Sequence, residues 1–71
     1  MQNQPIKLSK EDVDELIATY KKILQNEKDI QQLKLAGLDV AMQEQINADN
    51  KVKTANLLKY LGNVDVTKIK A

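Results

Sequence analysis

The tetrapeptide Ala36-Gly37-Leu38-Asp39 decides the fold, because it marks the place where a long helical pattern either turns back or runs on. Gly37 can take the left-handed C′ position that closes a helix, Leu38 can supply the hydrophobic C″ contact, and Asp39 can cap a following helix. The competing reading is one unbroken rod. A mid-helix glycine costs only ~1 kcal/mol relative to alanine, and a stripe through Leu38, Ala41, Gln45, Ala48, Val52 and Ala55 continues that of Ile17, Tyr20 and Leu24. We take the corner, which predicts an all-α fold: an antiparallel two-helix hairpin, coiled-coil-like in its packing.

Upstream of the corner, Ser9 is a favoured N-cap and Glu11, Asp12, Asp14 and Glu15 crowd the first turns, where the helix dipole favours negative charge. Leu8 stands where it can staple onto Val13. From Val13 the residues Leu16, Ile17, Tyr20, Ile23, Leu24, Ile30 and Leu33 recur at helical spacing, which predicts a helix over about 9–36. Glu27, Gln31 and Lys34 fall on or near the continuation of this stripe. Such a polar interruption either sets register in a coiled coil or marks a wet stretch. Residues 1–8 read as an extended arm, since Pro5 lacks an amide donor and biases its predecessor away from helix.

Downstream, a helix over about 39–61 is apolar on two sides. Ala41, Ala48 and Ala55 repeat every seven residues with Val52 beside them, while Met42, Ile46, Leu57 and Leu61 lie on nearly the opposite side. Helix one can cover one side only. Small residues let two backbones of one hairpin lie close, so the alanine side is expected to face helix one, and Ala48→Leu to overpack the hairpin. Met42, Ile46, Leu57 and Leu61 then form the expected protein-binding surface. Gly62-Asn63 reads as a helix stop. In the tail 62–71, Val64 and Val66 permit a short strand, whereas Asp65 can cap one helical turn that places Ile69 against the bundle. A docked tail, irregular or helical, is preferred to the strand.

Composition narrows the chemistry. The 71 residues allow one domain, and a core of this size supplies only ~3–5 kcal/mol of net stability without help. There is no Cys for a disulfide and no Cys or His for a structural zinc, so association is the expected source of further stability. Without His or Cys there is no base poised near neutrality and no thiolate, and Ser9, the single serine, has its capping role. We therefore expect no catalytic residues, no metal site and no cofactor. The net charge of +1 and the absence of Arg argue against a nucleic-acid binder, although Lys21, Lys22, Lys28, Lys51, Lys53 and Lys59 could serve a weak one. Tyr20 and Tyr60 read as packing residues with wet hydroxyls. Two isolated glycines exclude a phosphate loop, and no apolar run approaches the ~20 residues that span a bilayer. The expectation is a cytoplasmic protein without a membrane partner. Abundant Lys, Asn, Gln and Ile suit an AT-rich genome, such as that of a phage or a low-GC bacterium.

In layout, a capped coiled-coil helix followed by a short glycine-interrupted tail is similar to the small helical assembly chaperones and adaptor proteins of tailed phages. The resemblance covers the helical part of the chain and implies a viral protein that binds other proteins. The expected function is thus a non-enzymatic interaction module, associating into a helical bundle as a homo-oligomer or with another protein, and acting as an assembly factor, adaptor or structural subunit. The alternative is a small regulator that binds a host protein such as a polymerase subunit or nuclease.

Overall fold

Ser9 opens the first helix in the computed structural model, which describes residues 7–71. Its side chain accepts the Asp12 amide at 3.1 Å, and the Asp12 carboxylate accepts the Ser9 amide at 3.4 Å. This reciprocal capping box satisfies two amides that have no partner within the helix. Helix α1 then runs Lys10–Leu35 and ends at the C-cap Ala36. Gly37 adopts φ +93, the Gly37 amide donates to the Lys34 carbonyl at 3.0 Å, and the Leu38 amide donates to Leu33 at 3.1 Å. These are the paired bonds of a Schellman stop, so the chain turns and the unbroken rod is excluded. Helix α2 spans Ala41–Leu61. Its cap residue is Val40 rather than Asp39: the Asp39 carboxylate, one position further out, accepts the Ala41 amide at 3.2 Å. The second helix accordingly begins two residues later than expected.

The helices lie antiparallel along one seam. On the α2 side, Val40, Glu44, Asn47, Lys51, Thr54, Leu58 and Leu61 are withdrawn from solvent, with Ala55 beside them. The steps of four and three are those of a coiled-coil seam. Helix α1 contributes Val13, Leu16, Ile17, Tyr20, Ile23, Leu24 and Ile30. The half of the seam away from the corner is apolar, centred on Tyr20, Ile23 and the fully buried Leu58. Toward the corner it is polar. Lys51 pairs with Glu27 at 3.0 Å, Lys34 pairs with Glu44 at 3.2 Å, and the Asn47 amide donates to the Ile23 carbonyl at 3.1 Å. Both ion pairs remain partly exposed and contribute ~0–1 kcal/mol each, so they specify register more than stability. The polar interruption in α1 is therefore an interhelical ladder, and Val40 closes it with a buried apolar side chain at the corner.

At the open end, Gly62 caps α2 and Asn63, not the glycine, takes the left-handed conformation at φ +53. Gly62 serves close approach instead: a Cβ there would lie 3.3 Å from Cγ2 of Val13. The Val64 amide returns to the Leu58 carbonyl at 2.9 Å, and the Leu8 amide donates to Leu61 at 3.3 Å, joining both ends of the hairpin. Of the expected arm, residues 1–6 lie outside the described residues. The tail forms a single 3-10 turn, Val66–Lys68, which packs on α2 and leaves Ile69 half-buried. Asp65 caps it, accepting the Thr67 hydroxyl at 2.6 Å and the Thr67 amide at 3.1 Å. These bonds, the hydroxyl's foremost, hold the Asp65 carboxyl below the usual carboxylate range. No strand occurs among the described residues. The hairpin is elongated, 54 × 23 × 17 Å, with a radius of gyration of 14.8 Å against about 11 Å for a globule of this length.

Two outcomes follow from the local geometry. Gly37→Ala should lower stability by about 1 kcal/mol or more, read as a lower thermal midpoint by circular dichroism, because a Cβ is disfavoured at φ +93 even though open space surrounds it. Stabilisation would instead mean that the chain is a rod. Asp65 is more acidic folded than unfolded, so its contribution to the tail turn is present at neutral pH and lost as pH falls through the folded value. The Thr67 amide resonance should therefore titrate below the ordinary Asp range, while the Thr67 amide of an Asp65→Asn variant should not.

Candidate interaction surface

Neither apolar side of α2 is the side that meets α1. By 100° steps the seam from Val40 to Leu61 lies between the two, with the alanine side and the Ile46 side each displaced from it by roughly 90°. Ala41 and Ala48 are exposed and Ala55 is half-buried, so the alanine side does not face helix one as expected. The reason is register: the contacts from Lys51 to Glu27, Glu44 to Lys34 and Asn47 to Ile23 turn a mixed polar stripe inward. The alanine side becomes one wall of a shallow groove, lined also by Glu27, Ile30, Gln31, Glu44, Gln45 and Asn47.

The Ile46 side forms the other flank. Met42 is 72% exposed, Ile46 55% and Leu57 41%, while Leu61 is half-buried beside the seam. Leu57 and Leu61 share a shallow depression with Tyr60 and the stem of Lys53. Ile46 shares another with Ile30 of α1, among the amides of Asn26, Gln43, Asn47 and Asn50 and the carboxylate of Asp29. The four residues read from the sequence thus lie along one flank, in two groups rather than one patch, and helix one adds Ile30 to it. Ile30 was visible in the sequence as a stripe residue. Its place at the edge of the seam followed only from the register.

Tyr20 is buried in the seam, as expected of a packing residue. Tyr60 is not: it is 68% exposed, with the Lys59 ammonium 5.2 Å from its ring centre. The six lysines considered for nucleic acid do not share a surface. Lys51 is held by Glu27, and Lys53 and Lys59 project roughly 120° apart around α2. Among the described residues no cluster of His, Cys, Asp or Glu could hold a metal ion, no buried side-chain polar atom lacks a hydrogen-bond partner, and no helix is long and apolar enough to cross a membrane. Compared with known proteins, the chain matches no family model, and no curated protein or solved structure resembles it at a significant level. The surface must be interpreted from its own chemistry.

Burial separates the seam from the flanks in a way that stability can measure. Leu58→Ala should cost about 2–5 kcal/mol or unfold the hairpin, because Leu58 is fully buried. Ile46→Lys and Ala48→Leu, both on exposed flanks, should each shift stability by no more than about 0.5 kcal/mol in urea titrations of the monomer. A large loss on Ala48→Leu would show that the alanines do pack against helix one.

Proposed function

We propose that this protein is a non-enzymatic protein–protein interaction module of the cytoplasm, a small helical assembly factor, adaptor or structural subunit of a phage or low-GC bacterium. The Ile46 flank is its working surface, with Met42, Leu57 and Leu61 alongside. One observation carries the reading. Among the described residues, four large apolar side chains are buried (Tyr20, Ile23, Val40 and Leu58) and eight are exposed, among them Met42, Ile46, Leu57 and Tyr60. Singly scattered apolar residues are ordinary on a protein surface, but large ones gathered along one flank mark contact with another macromolecule.

The test is affinity capture from source cells, with the wild type and Ile46→Lys as baits, alongside sedimentation of each bait alone. The wild type should form a stoichiometric complex, with itself or with another protein, that weakens at least tenfold in a variant of unchanged helicity. A wild type that is monomeric and captures nothing, or an Ile46→Lys bait with an undiminished complex, would refute the reading.

A further inference from the structure

We infer that the occupant of the Ile46 flank is a second copy of this chain, paired antiparallel about a twofold axis that passes between the two copies of α2 at the level midway between Lys51 and Val52. The inference rests on the interaction reading above and names the partner. Its first support is spacing. Met42 and Ile46 are four residues apart, Leu57 and Leu61 are four apart, and Ile46 and Leu57 are eleven apart. This 4–11–4 pattern is the same in both directions. An antiparallel copy therefore sets Met42 level with the partner's Leu61 and Ile46 level with the partner's Leu57, as an isologous interface requires. Eleven residues are close to three helical turns, which keeps Ile46 and Leu57 on one flank, with Met42 and Leu61 at its two edges roughly 100° apart around the helix.

Helix α1 adds one residue to this flank. The pairs Glu27 with Lys51 and Lys34 with Glu44 fix the register of the hairpin, and in that register the level of the axis falls midway between Asn26 and Glu27. Ile30 reaches the flank on one side of that level, whereas Ile23, equally far on the other side, is buried within the hairpin. Ile30 lines the same depression as Ile46. Near the axis, Lys53 comes within one residue rise, about 1.5 Å along the helix, of the level of the partner's Asp49, and symmetry repeats the pair. Two lysines are thus flanked by two aspartates, an arrangement that disfavours the parallel alternative, where each charge would meet its own kind.

The area available is also sufficient. A stable dimer covers about 800 Å² per partner, which is about a seventh of the 5748 Å² this chain exposes. Two hairpins stacked in this way make a four-helix bundle in which α2 pairs with the partner's α2.

Because the chain has no cysteine, engineered thiols report the pairing without background. Ile46→Cys and Leu57→Cys are made singly and oxidised alone and as a mixture, with Val52→Cys on the other flank as control. The mixture should give a covalent dimer at several times the yield of either variant alone, since two copies of Cys at position 46 lie about 16 Å apart along the axis. Sedimentation of the wild type at about 100 µM should give twice the monomer mass. Covalent dimers from each variant alone would overturn the antiparallel arrangement, and so would a non-covalent dimer that only Val52→Cys can link. A monomeric wild type would overturn the second copy as occupant. If that monomer still forms a complex with another protein that Ile46→Lys abolishes, the interaction reading stands and this inference alone fails.

Discussion

Two helices in contact share one seam, and the character of this molecule depends on what occupies it. A seam covers about a third of each helix surface, so residues at its positions are withdrawn from solvent whether or not they are apolar. Here α2 places Glu44, Asn47, Lys51 and Thr54 in the middle of the stripe, between Val40 at one end and Leu58 at the other. The polar groups are matched: the Glu44 carboxylate meets the Lys34 ammonium of α1, the Lys51 ammonium meets the Glu27 carboxylate of α1, and the Asn47 side-chain amide donates to a main-chain carbonyl. Matching makes the arrangement tolerable without making it strongly stabilising, since partly exposed ion pairs give little net energy. The apolar residues of α2 are thereby displaced to the flanks, and most of its apolar surface goes unused within the hairpin.

The ends of the hairpin are built by a different kind of interaction. Ser9 with Asp12, Gly37 with its two returning amides, and Asp65 with Thr67 are each closed within six residues of chain. Such motifs depend on backbone conformation and on one or two short polar side chains, and they form where the sequence places them regardless of the rest of the fold. They fix where the helices stop, while the seam fixes how the helices sit. Gly62 belongs to both classes. It ends α2, and its missing side chain lets Val13 approach the helix terminus.

This division explains what was legible in the sequence. The N-cap at Ser9, the corner at Gly37 and the turn at Asp65 were readable because their information is local. The rotation of α2 was not, because it is fixed by Glu27 with Lys51, twenty-four residues apart, and by Lys34 with Glu44. A reading that follows apolar residues passes over a stripe whose centre is Glu, Asn, Lys and Thr. It finds the alanines and the Ile46 group instead, and must then assign one of them to the partner helix. Glu27 and Lys34 on the stripe of α1 held the missing signal, since each calls for an opposite charge at a matching level of α2. The same four-and-three spacing that carries Val40 and Leu58 carries Glu44 and Lys51 as well. Asn63 illustrates the local limit of such reading: next to a glycine it was the less obvious left-handed residue, yet asparagine tolerates that conformation and the glycine was needed for packing.

The two flanks differ in what covering them would cost. On the alanine side the groove is walled by Glu27, Glu44, Gln31 and Gln45, so a partner seated there would have to desolvate both carboxylates of the register-setting ion pairs. Removing paired charges from water costs several kcal/mol per ion, and small alanine side chains return little apolar area against it. On the Ile46 side the depression holds one carboxylate, Asp29, outside the register-setting ion pairs, and its other polar neighbours are the neutral amides of Asn26, Gln43, Asn47 and Asn50, which can exchange water for hydrogen bonds across an interface at lower cost. The large side chains Met42, Ile46 and Leu57 lie on that same side. Low desolvation cost and high apolar area therefore coincide on one flank. The polar seam that leaves the hairpin with a small core also draws the carboxylates of its ion pairs away from the surface best suited to contact.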